Sequence, residues 1–313
     1  MYRLFLMVLV ILLITGCQGA GEIPTPEGRV RIGTGNAGGV YAVYGAGLAE
    51  AIRESLTRVK ADAVVSDGSV ENIRMVVSRE VEVGFALADV AADAVSGRAP
   101  FTRPLPIVAL ANLYENYVQL VVRADGPVQS LRDLVGRRVS VGSRASGTAV
   151  VAERILTVAG ISDEVTRRNM DIQTSARALA DKEIDAFFWS GGLPSDAITD
   201  LSRHTDVRLI DLKEITKPLL RVYGELYTET TVPASVYGLS SAVTTVSVPN
   251  YLVVARDMPS DTAYWLTKVL FDKQQKLAQA HPEGHRLNQW AAIRTYPLQL
   301  HEGAIRWYRA THR

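Results

Sequence analysis

Residues 29–55 read RVRIGTGNAGGVYAVYGAGLAEAIRES, and this stretch decides the fold class. It begins with a run rich in β-branched residues, 29–33, which is typical of a buried strand. A glycine-rich loop follows, and residues 40–55 then place apolar side chains at helical spacing. A strand, a glycine-rich loop and a helix in this order form the first part of a parallel β–α–β unit.

The same alternation continues after the first helix. The pattern predicts a strand, a helix, a second strand and a second helix over residues 61–66, 70–79, 82–87 and 89–95. Gly97 is suited to end the last helix, because glycine readily adopts the left-handed conformation of a helix terminus. We therefore predict an α/β protein in which helices cover both faces of a parallel sheet.

A second copy of this order lies further along the chain. Residues 138–142 predict a strand, SRASGT at 143–148 a loop, and residues 149–159 a helix. Residues 176–198 then repeat the order of residues 74–95: a helix, an acidic turn, an apolar strand, a loop and another helix. We predict two lobes built alike, each a sheet flanked by helices.

Two β-rich segments, 117–123 and 244–255, flank the second copy and suit the crossing strands of a hinge. We predict that residues 28–115 and 256–313 form the first lobe and residues 116–243 the second. Residues 244–255 then form a hinge strand and return the chain to the first lobe, where residues 262–280 are helical. Lobes joined in this way close around a ligand by hinge motion.

The chain begins MYRLFLMVLVILLITGC, in which Arg3 precedes the apolar run Leu4–Ile14. A basic start, a short apolar run and small residues are features of a secretory signal, and the run is shorter than the roughly 20 residues of a membrane-spanning helix. Cys17 is the only cysteine, and it stands where bacterial lipoproteins accept a lipid. We predict that residues 1–17 are a lipoprotein signal with Cys17 as the lipidated first mature residue, followed by a tether, 18–27. The alternative is a signal that is cut elsewhere, with a cysteine there by chance.

Composition excludes few functions but agrees with an ordinary globular protein. The apolar fraction is 47%, the charged fraction is 21% and the net charge is +1. This balance gives no reason to expect a nucleic acid as partner. The roughly 285 residues after the leader and tether suit two cores better than one. We expect a monomer, exported to the periplasm or the cell surface and held at a membrane by its lipid alone, with inner and outer membranes both open.

Two loops that precede helices are candidates for binding a negative group. The first is 33–39, which includes Gly38, and the second contributes Ser143, Ser146, Gly147 and Thr148. Ligands of α/β sheets bind beyond the carboxyl ends of the strands, where free N–H groups and the helix dipole favour an anion. Two such loops that face each other would hold a carboxylate without an arginine.

Other candidates have two interpretations each. Ser69 and Asp89 stand at predicted helix starts, where they could bind a ligand or serve only as caps. Tyr114, Trp189 and Tyr237 lie in or near loops predicted at the cleft, where they could contact a ligand or only pack.

Signals for catalysis are weak. GTGNAG matches the dinucleotide fingerprint, but Asp67 lies nearer 30 than 20 residues beyond it. No G-x-S-x-G motif occurs. His281 and His285 have helical spacing, but Pro282 and Gly284 between them disfavour a helix and a metal site. We predict no enzyme activity, no metal and no cofactor, with an exported NAD(P)-dependent enzyme as an alternative.

Taken together, the motifs resemble the solute receptors of the TAXI group of tripartite ATP-independent periplasmic (TRAP) transporters. The resemblance covers nearly all of the chain after the leader. It rests on IGTGNAGGVYAVYGAGLAEAI, GSVENIRMVVSREVEVGFALADVAADAVSG, NLYENYVQLVV, SLRDLVGRRVSVGSRASGTAVVAERIL, EIDAFFWSGGLP and PLQLHEGAIRWYR, in this order.

The resemblance implies a two-lobed, type II-like periplasmic-binding-protein fold that delivers a ligand to TRAP membrane permease subunits. It implies a small organic acid as ligand, with glutamate or a related dicarboxylate the commonest. The residues that it places around the ligand are Tyr41, Ser69, Asn72, Asp89, Ser146, Gly147, Thr148, Trp189 and Gly191. Leu87 and Ala88 depart from the polar residues that are common before Asp89. A ligand-binding sensor input to a membrane kinase is a second hypothesis with the same fold.

Overall fold

The computed structural model describes residues 23–311. The predicted signal, the lipid site at Cys17 and the first part of the tether lie outside the described residues. Residues 24–27 lie against the first lobe: Trp265 Nε1 donates to the Pro24 carbonyl oxygen over 2.9 Å, and Arg58 Nη1 lies 3.0 Å from Glu27 Oε2. The last residues of the predicted tether 18–27 are therefore attached to the first lobe.

The strands form one mixed sheet with the order β2-β1-β3-β10-β4-β7-β5-β6, with β8 beside β4 and β9 beside β10. Their bounds are β1 Gly28–Gly33, β2 Val59–Val64, β3 Val83–Leu87, β4 Ile107–Arg123, β5 Arg138–Ser140, β6 Thr166–Arg168, β7 Ala186–Gly191, β8 Val207–Leu209, β9 Thr228–Val232 and β10 Val243–Ala255.

Helices occupy the connections. Their bounds are α1 Val40–Ser55, α2 Ser69–Val77, α3 Ala88–Ser96, α4 Gly147–Val158, α5 Ile172–Ala180, α6 Asp196–Ser202, α7 Lys213–Tyr223, α8 Ser260–Asp272, α9 Gln274–Ala280, α10 Gln289–Ala292 and α11 Glu302–Thr311. Short 3₁₀ segments lie at Leu131–Leu134, Ser162–Glu164 and Pro282–Arg286.

The predicted helix over residues 40–55 is confirmed with the same bounds. Tyr44, Leu48 and Ile52 recur every fourth residue and are buried, so they form the apolar stripe that packs α1 against the sheet. Gly97 ends α3 in the left-handed conformation, with φ 68°. The predicted helix over 262–280 is divided at Lys273, whose φ of −105° and ψ of 17° leave the helical region.

The prediction of a parallel sheet is correct only at the two ends. β1 is parallel to β2 and β3, and β5 is parallel to β6 and β7. In the middle, β10 and β4 run antiparallel to each other and to their outer neighbours β3 and β7. The alternation of strands and helices predicts only local units, and it carries no information about the strands that join those units.

Two long strands connect the halves of the molecule. β4 extends over 17 residues and β10 over 13. The first half of β4 pairs with the part of β10 that also pairs with β3, while Tyr117–Val122 pair with β7. The register shifts by one residue between Pro249 and Tyr251, opposite Glu115 and Asn112. Proline lacks an N–H for the ladder, which suits a bulge at this point, and we propose that the lobes meet there.

Apolar packing also continues across the two halves. One cluster, which includes Ile32, Leu48 and Leu270, lies around α1 and α8. A second cluster, around Phe187 and Ile198, lies in the other half. The third cluster joins residues from both halves. The first and second lobes therefore share part of their core on one face of the sheet.

Glu115 generates a prediction on pH and stability. Its side chain is mostly buried beside the bulge, and burial raises its pKa from an ordinary 4.5 to about 7, although a hydrogen bond to Ser247 opposes this shift. Because the folded-state pKa exceeds the unfolded-state value, the contribution of Glu115 to stability is complete below pH 4.5 and is lost as the pH rises through 7.

We expect Glu115→Gln to raise the free energy of unfolding by up to about 3 kcal/mol near pH 8 and to have little effect near pH 4. Urea denaturation at several pH values measures this difference. Glu229→Gln, on an exposed part of β9, is the control. An increase in the free energy of unfolding of Glu115→Gln that is the same at every pH would contradict the prediction.

Candidate functional site

A small cavity lies where the loops after β1, β2 and β3 meet those after β5 and β7. Its volume is about 30 Å³, so a ligand larger than a few water molecules would require its walls to move apart. The lining residues come from both lobes: Gly35, Asn36, Gly39, Val40, Tyr41, Asp67, Gly68, Ser69, Leu87, Tyr114, Asn116, Ser146, Gly147, Thr148, Trp189, Ser190 and Gly191. The cavity therefore lies between the two lobes.

Two helices begin at this cavity with unused backbone donors. α1 starts after Gly39, which provides no side-chain cap, and α4 starts after Ser146. Ser146 Oγ accepts from the Ala149 N–H over 3.0 Å. The N–H groups of Gly147 and Thr148 lie in the first turn of α4, where no backbone carbonyl of the helix can accept from them. Both helix starts therefore present partial positive charge to the cavity, as the sequence predicts for an anion site.

The third helix start is used by the protein itself. The Val70 and Glu71 N–H groups of α2 both donate to the Ala145 carbonyl oxygen of the second lobe over 3.1 Å. The Ala145 N–H in turn donates to Asp67 Oδ2 over 3.1 Å. Ser143 Oγ also donates to Asn36 Oδ1 over 3.0 Å. These bonds join the lobes directly, so α2 holds a backbone carbonyl rather than a ligand.

Gly147 permits the close approach of the lobes. A Cβ atom at this position would lie 2.5 Å from Leu87 Cδ1 and 2.7 Å from Ser69 Oγ. Ser69 Oγ accepts the Leu87 N–H over 3.0 Å, and this bond keeps the first-lobe wall in place. The glycine is therefore required by the closed cleft and not by the conformation of α4.

Three buried polar atoms along the cavity have no hydrogen-bond partner among residues 23–311: Tyr114 Oη, Asn116 Oδ1 and Ser190 Oγ. Asn116 Nδ2 donates to the Ser190 carbonyl oxygen over 3.2 Å, which orients the amide and leaves Oδ1 as an acceptor. Burial raises the pKa of the Tyr114 hydroxyl, so it remains a neutral donor. A ligand with both donors and acceptors could satisfy these atoms.

Trp189 forms an aromatic wall that the second lobe holds in place. Its Nε1 donates to Ser195 Oγ over 2.8 Å, and the Ser195 N–H donates to the Tyr237 hydroxyl over 2.9 Å. A Cβ atom on Gly39 would lie 3.1 Å from the indole ring. Tyr237 therefore lies behind the wall and outside the cavity lining, in contrast to the predicted contact with ligand.

Most of the predicted site residues meet at the cavity. Those that line it are Tyr41, Ser69, Tyr114, Ser146, Gly147, Thr148, Trp189 and Gly191. Gly38 lies outside, with its Cα facing Gln173 and Ala197. Asn72 is also outside: its Nδ2 donates to the Thr34 and Phe85 carbonyl oxygens over 2.6 and 2.9 Å, and these bonds tie β1 to β3.

Asp89 also lies outside the cavity lining. Its carboxylate is buried and pairs with Arg154 Nη1 over 2.9 Å. Asp89 is a candidate from the sequence because it stands at a helix start. Its partner, Arg154, comes from the other lobe, and only the tertiary structure shows this pairing.

Sequence reasoning missed several lining residues. Asn36 and Asp67 stand in the loops that follow two of the predicted strands, and their polar side chains could have indicated ligand-binding positions. Asn116 and Ser190 lie within or beside predicted strands and carried no such signal, because they become neighbours only when β4 pairs with β7.

Residues 32–310 match the NMT1-like family. The chain belongs to this family. Among solved structures, the periplasmic aliphatic sulphonate binding protein SsuA from Escherichia coli is 14% identical with a TM-score of 0.51, covering 91% of this chain and 83% of that one. An ancestral arginine-binding protein bound to arginine is 15% identical with a TM-score of 0.51, over 82% and 98%. A protein of Bordetella bronchiseptica RB50 is 17% identical with a TM-score of 0.53, over 90% and 89%.

At these identities the likeness shows the fold of the NMT1-like chain and nothing finer. The predicted two-lobed fold of periplasmic binding proteins is confirmed. Within residues 23–311, no helix has the length and hydropathy that a membrane crossing requires. No cluster of three or more His, Cys, Asp or Glu side chains in that range could hold a metal ion. His281 Nδ1 instead accepts the Glu283 N–H over 3.2 Å as a helix cap.

We expect Gly147→Val to keep the NMT1-like protein folded but open. The added side chain overlaps Leu87 and Ser69 only when the lobes are closed, and overpacking of this kind costs about 1–3 kcal/mol. Small-angle scattering should show a larger radius of gyration than for the unchanged protein. Thr157→Val, at an exposed site on α4, should not change the radius. Equal radii for all three proteins would contradict a role of Gly147 in closure.

Proposed function

We propose that this chain is an exported solute-binding receptor of a TAXI-type TRAP transporter, which captures a small organic acid or amino acid. The observation that carries the proposal is the closed cavity at which two helices, one from each lobe, begin. A carboxylate between these helix starts would accept hydrogen bonds from the two lobes at once. Binding would therefore stabilise the closed arrangement over the open one, as a receptor requires.

The charges of the lining support an α-amino acid over a simple dicarboxylate. Among residues 23–311, the lining contains no Lys or Arg, while Asp67 contributes a carboxylate and Asn116 an unused acceptor. A second carboxylate of a ligand would have only the helix starts to compensate it. An ammonium group would pair with Asp67 and donate to Asn116, and in a glutamate-like ligand it would offset the charge of one of the two carboxylates.

The relatives support the receptor class. SsuA is named for aliphatic sulphonates, and the structure of the ancestral protein is described as bound to arginine. The TAXI assignment itself rests on the ordered motifs of the sequence. Delivery to TRAP permease subunits, as opposed to reporting to a membrane kinase, is the hypothesis that a TRAP permease gene beside this gene would support. A histidine kinase gene there would favour sensing.

The proposed lipid on Cys17 would place the first lobe near the membrane. Because Pro24 and Glu27 are held by Trp265 and Arg58, only about six residues separate Cys17 from the folded lobe. This short connection suits a receptor that works beside a membrane partner.

Thermal melting of the secreted protein tests the ligand class. We expect glutamate or a related amino acid at 100 times its dissociation constant to raise the free energy of unfolding by about 2.7 kcal/mol. Dicarboxylates without an amino group should act more weakly, and NAD(P) should have no effect. An absence of response to every amino acid and organic acid would contradict the proposal.

Asp67→Asn separates an amino-acid ligand from a dicarboxylate. The amide oxygen can still accept the Ala145 N–H, so closure should persist while the negative charge is lost. Hydrogen bonds to charged groups contribute about 1.5–3 kcal/mol, so we expect a roughly 10- to 100-fold weaker affinity for amino acids. Affinity for dicarboxylates should stay equal or increase. Isothermal titration of both ligand classes measures the two effects, and an unchanged amino-acid affinity would exclude Asp67 as the ammonium partner.

A further inference from the structure

A cluster of charged side chains joins the lobes outside the cavity. Arg154 projects from α4 of the second lobe, and Asp89 and Asp93 lie one turn apart on α3 of the first. Arg154 Nη1 lies 2.9 Å from Asp89 Oδ2, and Nη2 pairs with Asp93 Oδ2. The Tyr227 hydroxyl lies 2.9 Å from Arg154 Nη1 and also donates to Asp89. We call these four residues the interlobe cluster.

The interlobe cluster is buried, and Arg98 beside it supplies the second positive charge that its two carboxylates require. The side chains of Asp89 and Asp93 are 1% and 2% exposed, and that of Arg154 is 12% exposed. The remaining carboxylate oxygens are also used: Asp89 Oδ1 accepts the Val90 N–H over 2.8 Å, and Asp93 Oδ1 accepts from Arg98 over 3.0 Å. The cluster therefore has the full hydrogen bonding that makes a buried ion pair tolerable.

The two helices that carry the cluster both begin at the cavity. α3 follows Leu87, and α4 begins at Gly147, so the cavity walls and the cluster lie on the same rigid elements. When the lobes move apart about β4 and β10, the distance between Arg154 and the two aspartates must change together with the width of the cavity.

Loss of Arg154 should act mainly on the closed arrangement. In the closed cleft it leaves two buried carboxylates with one guanidinium, that of the exposed Arg98, and an unpaired buried charge is strongly unfavourable. In an open cleft, water can hydrate the same carboxylates. The pair therefore affects the balance between open and closed forms more than the folding of either lobe.

We propose that the interlobe cluster is a latch: Arg154, Asp89 and Asp93 hold the lobes closed and raise ligand affinity without touching the ligand. The effect of the latch on ligand affinity rests on the proposed receptor function. The latch itself exists whether or not a ligand is identified. Arg154 and Asp89 are positioning residues, and Asp89, which the resemblance places beside the ligand, receives a different role.

Hydrogen exchange of the secreted protein without added ligand tests the latch. The Val70 and Glu71 amides donate to Ala145, and the Leu193 amide donates to Glu283, so they report contact between lobes. We expect Arg154→Met to speed their exchange about 5- to 150-fold, the range of typical coupling between sites. Ladder amides of β1 and β6, inside each lobe, should keep their rates.

Arg31→Met is the matched control, because it breaks a partly buried ion pair with Glu82 that lies wholly in the first lobe. In Arg31→Met, the Val70, Glu71 and Leu193 amides should exchange at the same rate as in the unchanged protein. Arg154→Lys, which keeps one charge but cannot reach both aspartates at once, should be intermediate. Tyr227→Phe, which removes a single hydroxyl, should show a smaller acceleration in the same amides and decides the test if Arg154→Met does not fold.

Titration with L-glutamate supplies the second measurement. For Arg154→Met, we expect a lower affinity than for the unchanged protein, because affinity scales with the closed fraction. Unchanged interlobe exchange in Arg154→Met, or equal acceleration of ladder amides, would overturn the latch. If Arg154→Met speeds the exchange of the interlobe amides as expected, but neither protein binds L-glutamate or any other acid, the latch is upheld and the ligand class proposed above is refuted.

Discussion

The antiparallel pairing of β4 with β10 is the constraint on which the rest of the structure depends. These two strands extend through both lobes and provide the backbone ladder to which β3 attaches at one end and β7 at the other. Every loop at the cavity follows a strand whose position is set by this ladder. A one-residue register shift between Pro249 and Tyr251 interrupts the ladder at the point where we propose that the lobes meet.

Three kinds of contact join the two lobes. Backbone groups meet directly at Ala145, which approaches α2 because Gly147 has no side chain. Buried charges meet at the interlobe cluster. The loop before α6 meets the C-terminal segment through Leu193 and Glu283, while His281 Nε2 donates to the Pro194 carbonyl oxygen. The cavity lies among these contacts, so under the proposed function the fit of a ligand and the contact between the lobes are coupled.

Local order was predictable because it depends on residues that are close in sequence. The bounds of α1, the left-handed end of α3 at Gly97, and the starts of α2 and α4 to within one and two residues follow from spacing and from glycine and serine chemistry. The candidates Tyr41, Ser146 and Trp189 reach the cavity because they lie at or beyond the carboxyl ends of strands. Asn72 and Asp89 show the limit of this reasoning: a polar residue at a helix start does not reveal whether its partner is a ligand, a neighbouring strand or an arginine from the other lobe.

The sequence by itself determined two α/β units, their glycine- and serine-rich helix starts and the family resemblance, since these depend on side-chain type and short spacing. Only the tertiary structure decided that one mixed sheet joins the units, that Asn116 and Ser190 share the cavity, and that Arg154 joins Asp89 and Asp93. The physical reason is that strand pairing and buried ion pairs join residues that are far apart along the chain. Their geometry is set by the whole packed core, and local periodicity carries no record of it.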